Sequence, residues 1–494
     1  TKKPAIKKPY IAPPLDLLTN YPSGASDFPE NYAEIKNKID EVMASAGIDA
    51  EVVSAKRGPT FTRYELKLEP GQPMSKIVSQ QKMLMMRLCA TSVRILAPIR
   101  GKDAIGIELP NAKRDIVGLR SVIGSREFNT PQGGIYIGFG KNLEGVPFVA
   151  DLSKMPHLLV AGATGTGKSV FINCLITSIL YKYSPEDVRL LLIDPKRVEL
   201  SVYQNLPNLL IKETVKEPQH AVNLLRWLTV EMDRRFQFLE KNGVSDLETY
   251  NDSVRDKSRE PKIPRIVLVI DEMADLMIKG KGQVEEYIVR IAQLGRASGI
   301  HLVLATQRPT VNVITGLIRA NILARVAFTV KTNQDSRIIM DEGGAESLLG
   351  NGDMLFSYKS EVDRMQGALI ERRDITAICE FIKERNEGTF DDEVADLIKK
   401  ESEEEKEQSE EKPSASEERD QDFDETLKRI LKTFIIERRA SVSSAQAKHN
   451  VGYIKAKKIV DAMADRGYIT KEDGGKPREV LLTLEDYYNI FGKE

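Results

Sequence analysis

One octapeptide constrains this chain more than any other stretch: Gly162-Ala163-Thr164-Gly165-Thr166-Gly167-Lys168-Ser169. It reads G-x-x-x-x-G-K-S, a loop whose backbone amides curl around a phosphate. The apolar run His157–Ala161 leads in, and the helix-compatible run Val170–Ile176 leads out. The strand–loop–helix context that the pattern requires is therefore present. The glycines let successive N–H groups turn inward, with a helix N-terminus behind them. All eight residues are candidates for nucleotide binding. Lys168 is placed to reach the β- and γ-phosphates of ATP, and the Ser169 hydroxyl to hold Mg²⁺.

A chain of 494 residues is too long for one core, so two to four domains are expected. From about residue 136, apolar strands alternate with long helices. The strands are expected at His157–Ala161, Val188–Ile193, Ile266–Ile270, Leu302–Ala305 and Val326–Val330, and amphipathic helices at Val222–Leu239 and Glu285–Leu294. This α/β alternation indicates a parallel sheet covered by helices. Residues 136–395 form the expected motor-like domain. Before it, residues 30–135 read as a small α+β module. It has an amphipathic helix at Tyr32–Met43, a strand at Phe61–Leu68, a helix at Ile77–Leu88 and short strands near Val93–Leu96 and Ala104–Leu109. Nothing in that block suggests catalysis, so its expected role is packing or assembly. Residues 1–29, rich in Pro and Lys, read as an extended lead-in.

Residues 396–425 are expected to form an acidic, flexible linker, since 399–425 alone holds 13 acidic and 5 basic residues. Beyond it the balance reverses, with 14 Lys/Arg against 9 Asp/Glu in 427–494. Helices at Thr426–Ile436, Ser443–His449 and Tyr453–Arg466 precede strand-like pieces near Tyr468–Thr470 and Val480–Thr483. Residues 426–494 therefore read as a winged helix. No run of 18 apolar residues exists to span a membrane. The start, Thr1-Lys2-Lys3-Pro4, has neither Met nor an apolar leader, as expected of a fragment whose anchor lies upstream. Cys89, Cys174 and Cys379 are too few and too scattered for a disulfide framework, which suggests a reducing cytoplasm.

A phosphate loop binds a nucleotide, and hydrolysis needs more. Ile266–Ile270 runs into Asp271-Glu272. Asp271, at the end of a buried strand adjoining the loop, suits the Mg²⁺ hydration shell, and Glu272 suits the general base. The next strand ends in Thr306-Gln307-Arg308. Gln307, or second to it Thr306, is placed to contact the γ-phosphate or the attacking water. Arg296 is the candidate for a cation donated across a subunit interface, and Arg290 its competitor. Asp194, ending another strand, reads equally as a partner of the site or as a turn former. Two basic, glycine-bearing segments, 308–325 and 331–352, suit phosphate contact without base reading, with Arg308, Arg319, Lys331 and Arg337 as DNA-binding candidates. In the C-terminal unit, Lys455, Lys457 and Lys458 lie along the third helix, where major-groove docking requires them, and Lys476 and Arg478 lie in the wing.

These stretches together resemble the FtsK/SpoIIIE family of bacterial DNA translocases. The likeness rests on Gly58–Glu65, Pro156–Ser169, Ile193–Lys196, Asp271–Leu276, Ala305–Pro309 and Gly343–Gly350, and it extends over nearly the whole chain from residue 30. It implies a RecA-like P-loop motor forming a homo-hexameric ring around double-stranded DNA. Residues 30–135 would be the family's α domain, and 426–494 its γ domain, which reads short polar DNA sequences and sets direction. It implies Arg296 as the trans-acting finger. It also implies action in chromosome partition at division or sporulation, at the inner face of the membrane. A division-site recombinase or other division proteins are implied partners, and RNA is not. Lys455, Lys457 and Lys458 replace the arginines usual on that third helix, and lysine suits phosphate better than bidentate contact to guanine.

The reading is thus an ATPase that drives double-stranded DNA. Its rivals are a related secretion ATPase moving protein, which has no need of a basic C-terminal unit, and a DNA-binding regulator with a nucleotide switch, which has no need of Glu272.

Overall fold

The apolar runs around the phosphate loop become the middle of a nine-stranded sheet. A computed structural model describes residues 9–22, 29, 31–131, 133–255, 261–280, 282–359, 361–399, 415–449, 451–470 and 478–492. The chain forms two compact units, residues 1–400 and 401–494.

The first unit holds two sheets. The smaller contains β1 (Ala50–Arg57), β2 (Phe61–Leu68), β3 (Arg94–Leu96) and β4 (Ile105–Pro110), antiparallel in the order β1-β2-β4-β3. The Tyr32–Ser45 helix covers it through Ile39, Val42 and Met43. Strand β1 escapes sequence reading because only Val52 of its eight residues is buried, so no alternation marks it. The expected helix at 77–88 is two short ones, Met74–Ser79 and Gln81–Arg87.

The larger sheet contains β5 (Tyr136–Lys141), β6 (Pro147–Asp151), β7 (His157–Ala161), β8 (Val188–Ile193), β9 (Arg265–Ile270), β10 (Ile300–Thr306), β11 (Ala324–Ala327), β12 (Asp353–Tyr358) and β13 (Glu361–Gly367). Their order is β6-β5-β13-β12-β11-β7-β10-β9-β8. The stretch from β11 to β8 is parallel, as expected. The other four strands extend it antiparallel, a part that the sequence pattern did not announce. Every residue of β7 is buried, as a central strand covered on both faces must be. Leu158 and Val160 face one core, with Phe139, Phe171 and Phe328, while Leu159 and Ala161 face the other. The Lys168–Lys182 helix fills the first core and is buried on most of its circumference. The Pro218–Lys241 and Gln283–Ser298 helices cover the second.

One expectation changes here. The lead-in is docked where it is described: Tyr10 donates to the Leu180 carbonyl at 2.8 Å, Asn386 Oδ1 accepts from Ile11 N at 2.7 Å, and Thr19 Oγ1 donates to Asp374 at 2.8 Å. The α+β module likewise packs with the motor sheet in one unit.

The second unit has helices Ala415–Glu437, Val442–His449, Tyr453–Asp465 and Leu484–Phe491. Antiparallel bridges join Ala440 to Arg478 and Ile469 to Val480. Its core gathers Leu427, Ile430, Phe434, Ile459 and Met463. Part of the expected linker is ordered as helix. Residues 392–399 are helical, and the first helix of the second unit starts at Ala415. After Pro413 the segment has neither Pro nor Gly, and its Glu and Arg residues favour helix. Residues 401–414 lie outside the described residues. The last helix was not anticipated; Thr483 and Asp486 cap it reciprocally.

Candidate active site

Strands β7, β10, β9 and β8 are consecutive neighbours and end at one edge of the sheet. The carboxyl edge of parallel strands is where helix N-termini and loops converge, and ligands bind there. The phosphate loop follows β7. Gly165 and Gly167 take φ of 78° and 120°, which a side chain would resist. A Cβ on Gly167 would lie 2.8 Å from Gly352 Cα. The two segments are thus packed backbone to backbone, and Gly352 N donates to Thr166 O at 2.9 Å. The Thr166 hydroxyl closes the loop from within, donating to Ala163 O at 2.7 Å. A cavity of ≈ 690 Å³ opens over the loop, with Phe328, Gln307 and Asn351 in its wall and Arg114–Val117 contributed by the chain leaving the α+β domain. Sequence reading had assigned Gly350 and Gly352 to a DNA-contacting segment. The structure places that end of the segment against the phosphate loop.

Strand β9 does not adjoin β7, because β10 lies between them. Lys168 nevertheless reaches across, and Nζ donates to Asp271 Oδ1 and to Asp271 O, both at 2.8 Å. Both side chains are buried, at 3% and 1% exposure. Asp271 Oδ2 is buried without a hydrogen-bond partner. That orphan oxygen, with the half-exposed Ser169 that follows Lys168 in sequence, fits a hydrated Mg²⁺, a hard cation that keeps water between itself and one or two carboxylates.

Glu272 is fully buried. Its Oε1 accepts from Thr306 Oγ1 at 2.7 Å and from Gln307 N at 3.2 Å, and its Oε2 accepts from Lys196 Nζ at 2.8 Å. Burial alone would raise its carboxyl pKa. Hydrogen bonds from Lys196 and Thr306, with the charges of Lys196 and Lys168, outweigh burial and hold it below the ordinary value. Thr306, also fully buried, therefore serves Glu272 rather than facing a phosphate. Gln307 stands at the rim, where its Oε1 accepts from Thr164 Oγ1 at 3.0 Å and from Lys196 Nζ at 3.2 Å.

The Asp194 ambiguity resolves toward the turn. Its carboxylate accepts four backbone amides, those of Lys196, Arg197, Glu199 and Leu200, at 3.0–3.1 Å. That turn presents Lys196, a residue that sequence reading passed over as a site residue although it lies in the noticed run Ile193–Lys196.

Arg296 is exposed in the last turn of the Gln283–Ser298 helix, just before β10 begins. Gln307 follows the other end of this seven-residue strand, roughly 20 Å away at a strand's rise. Arg296 thus cannot serve its own phosphate loop. The competitor Arg290 is engaged with Asp233 at 2.8 Å.

The candidate DNA contacts divide. Arg308 and Lys331 are exposed. Arg337 is exposed and donates to Asn333 at 2.9 Å. Arg319 is paired with Asp341 at 3.2 Å, and buried Arg325 binds the same carboxylate and three carbonyls. Arg325 therefore organises the segment, while Arg319, a third exposed, shares Asp341 at the surface. In the second unit, Lys457 and Lys458 are exposed and Lys455 is half-buried. Lys476 lies outside the described residues. Arg478 is corrected: at 9% exposure it donates to Asp461 at 2.7 Å and to Val460 O, so its guanidinium fastens the fold and is not open to phosphate.

Comparison with known proteins agrees with this layout. A model of the FtsK/SpoIIIE family matches residues 118–311, a model of the FtsK alpha domain residues 12–111, and a model of the Ftsk gamma domain residues 421–483. The chain is 45% identical to a DNA translocase FtsK of Clostridium tetani over 454 residues, covering 91% of this chain and 59% of that protein. It is 40% identical to the DNA translocase SpoIIIE of Bacillus subtilis over 488 residues, covering 97% and 60%. The chain thus spans about three-fifths of the length of these relatives. Among solved structures, the pCW3 conjugation coupling protein TcpA, in a monomer form with ATPγS, is similar in fold. It is 22% identical, covers 71% of this chain and 99% of that one, and gives a TM-score of 0.50.

Proposed function

The chain belongs to the FtsK/SpoIIIE family, and from that premise we propose that it is an ATP-driven motor that moves double-stranded DNA as a ring of subunits. The observation that carries this reading is the split of one catalytic set between two ends of the sheet. Lys168, Asp271 and Glu272 gather at the strand tips, while Arg296 sits at the far end of β10, where only another subunit's nucleotide could meet it.

In this mechanism the phosphate-loop amides and Lys168 bind the β- and γ-phosphates. Ser169, and Asp271 through water, would hold Mg²⁺, which would supply charge neutralisation on the phosphate oxygens. Glu272 takes the proton of the attacking water on its carboxylate, and Gln307 positions that water or senses the γ-phosphate. Arg296 of a neighbour stabilises the charge spreading over the transferred group. Because Arg308 directly follows Gln307, a shift at the site passes into the 308–325 and 331–352 segments, whose exposed Arg308, Lys331 and Arg337 grip the phosphate backbone without reading bases. The C-terminal unit binds duplex through Lys455, Lys457 and Lys458 and biases direction. A hexameric ring, a role in chromosome partition, placement at the inner face of the membrane and contact with division-site proteins belong to the same proposal.

The test is ATP hydrolysis with and without linear duplex DNA. Stimulation by DNA is expected, and its absence sinks the translocase reading. Glu272→Gln should keep nucleotide binding and lose about 10²–10⁴-fold in turnover; near-normal turnover removes Glu272 as the base.

A further inference from the structure

A general base needs a free lone pair aimed at the water it activates. In Glu272 both carboxylate oxygens are taken. Oε1 holds the Thr306 hydroxyl and shares the Gln307 amide, which lies 3.2 Å from Oε1 and 3.3 Å from Oε2, and Oε2 also holds the Lys196 ammonium at 2.8 Å. Of these partners, Thr306 and the Gln307 amide belong to β10 and its tip and are fixed by the sheet. Lys196 is different. It rises from the Asp194 turn on the far side of β9, its side chain remains 35% exposed, and it divides its donors between Glu272 and Gln307 Oε1, the latter at 3.2 Å. Among the described partners of the base it is the one carried on a turn outside β10 and partly exposed.

We infer that Lys196 is a positioning residue that restrains Glu272 and links the base to DNA contact through Gln307. A cation on Oε2 competes with the attacking water for the oxygen that must accept its proton. Lys196 shares its hold between the base and Gln307, and Gln307 is followed directly by the exposed Arg308. A pull on Arg308 that displaces Gln307 loosens one of the two acceptors of Lys196, and with it the clamp on the base. The turn that carries Lys196 is itself rigid, since the Asp194 carboxylate accepts four amides. Displacement at Gln307 is therefore felt by the Lys196 side chain rather than absorbed by its backbone. An exposed lysine serving only stability would need neither this turn nor an acceptor on the rim of the site.

The inference rests on the translocase reading for its DNA arm alone. The experiment is ATP turnover, with kcat and KM measured separately with and without linear duplex, for the wild type, Lys196→Met and Lys196→Arg. Lys196→Met is expected to raise the DNA-free kcat several-fold, toward the DNA-stimulated value, with KM for ATP changed less than about twofold. The stimulation ratio should fall toward one, and Lys196→Arg should restore the low DNA-free rate and the stimulation. A Lys196→Met protein whose kcat falls alike with and without DNA overturns the proposal, because Lys196 would then be needed in the chemistry itself. Rates equal to wild type in both conditions also overturn it. If wild type shows no DNA stimulation, the translocase reading fails, while the DNA-free rate of Lys196→Met still decides whether the restraint exists. Lys196→Gln, closer in length, repeats the measurement should the Met variant fold poorly.

Discussion

At the strand tips Lys168 and Asp271 are buried together with one carboxylate oxygen unmatched, and Lys196 reaches from the surface to cover Glu272. At the seam between the α+β domain and the motor sheet, carboxylates are buried just as deeply, and both oxygens of Glu108 and of Asp353 are met. Glu108 accepts from Arg63 at 2.7 Å, from Arg364 at 2.8 Å and, more loosely, from Arg94 at 3.4 Å. Arg364 also grips both oxygens of Asp353, at 3.0 and 2.6 Å, and lies over the Phe61 ring. Asp353 in turn accepts the Leu349 amide at 2.7 Å. A closed network leaves no polar atom for a ligand and fixes geometry. An open one keeps desolvated charge in reserve for a phosphate or a metal. The closed cluster also has a use for the open one, since the Leu349–Asp353 segment it anchors carries Gly352 against the phosphate loop.

If that contrast is right, Arg364→Met should cause the largest loss of stability. It leaves Asp353 without a cation and takes one of three arginines from Glu108, and breaking a buried ion pair by removing one partner costs about 3–5 kcal/mol. Urea denaturation followed by circular dichroism reads it, and a loss under about 1 kcal/mol would place the seam among ordinary surface pairs. Asp271→Asn is the milder change. It takes the counter-charge from buried Lys168, but Lys168 keeps the residue 271 carbonyl and an amide oxygen and the unmatched Oδ2 has no bond to lose, so the stability loss should be smaller than that of Arg364→Met. ATP turnover should fall about 10–100-fold with the loss of the carboxylate behind the Mg²⁺ waters. A large stability loss with full turnover would reverse the assignment.

The seam also predicts a pH dependence. Burial pushes the Glu108 carboxyl up, but Arg364, Arg94 and Arg63 outweigh it and hold it at about 2. An unfolded glutamate titrates near about 4.3. The folded value is the lower one, so the Glu108 contribution is complete above the unfolded value and drains away as pH falls toward about 2. Unfolding free energies of wild type and Glu108→Gln, measured across that range, should therefore converge as acid is added. Curves that stay parallel would mean that the carboxylate carries no linked stability.

Legibility in the sequence follows the same division. Strands β7, β8 and β2 coincide with their expected limits because each is an apolar run or a clean alternation bounded by polar residues. The motif residues Lys168, Asp271 and Glu272 meet at one edge because each ends a strand or opens a helix beside it, which a motif can declare. Strand β13 could not be read, since buried Arg364 and Gln366 interrupt its pattern, and their partners lie far off in sequence. Glu108 and Arg364 are 256 residues apart, a distance over which spacing carries no information. Lys196 stood inside a noticed run, but only the Asp194 turn determines which way it points.

The contrast repeats in miniature in the C-terminal unit. Arg478 and Lys458 were both expected at DNA, yet Arg478 is spent on Asp461 and Val460 O while Lys458 is exposed. Lys458→Ala should weaken duplex binding only a few-fold and alike for all sequences. It should flatten the dependence of log affinity on log salt by about one unit, as the loss of one phosphate contact does. Arg478→Ala should leave that slope unchanged and instead lower the melting temperature, because Asp461 loses its partner where the Ala440–Arg478 bridge closes. Fluorescence anisotropy with labelled duplex across a salt series separates the two. A flattened slope for Arg478→Ala would mean that its ion pair opens to admit DNA, and the boundary between fastening and functional charge in this unit would have to be redrawn.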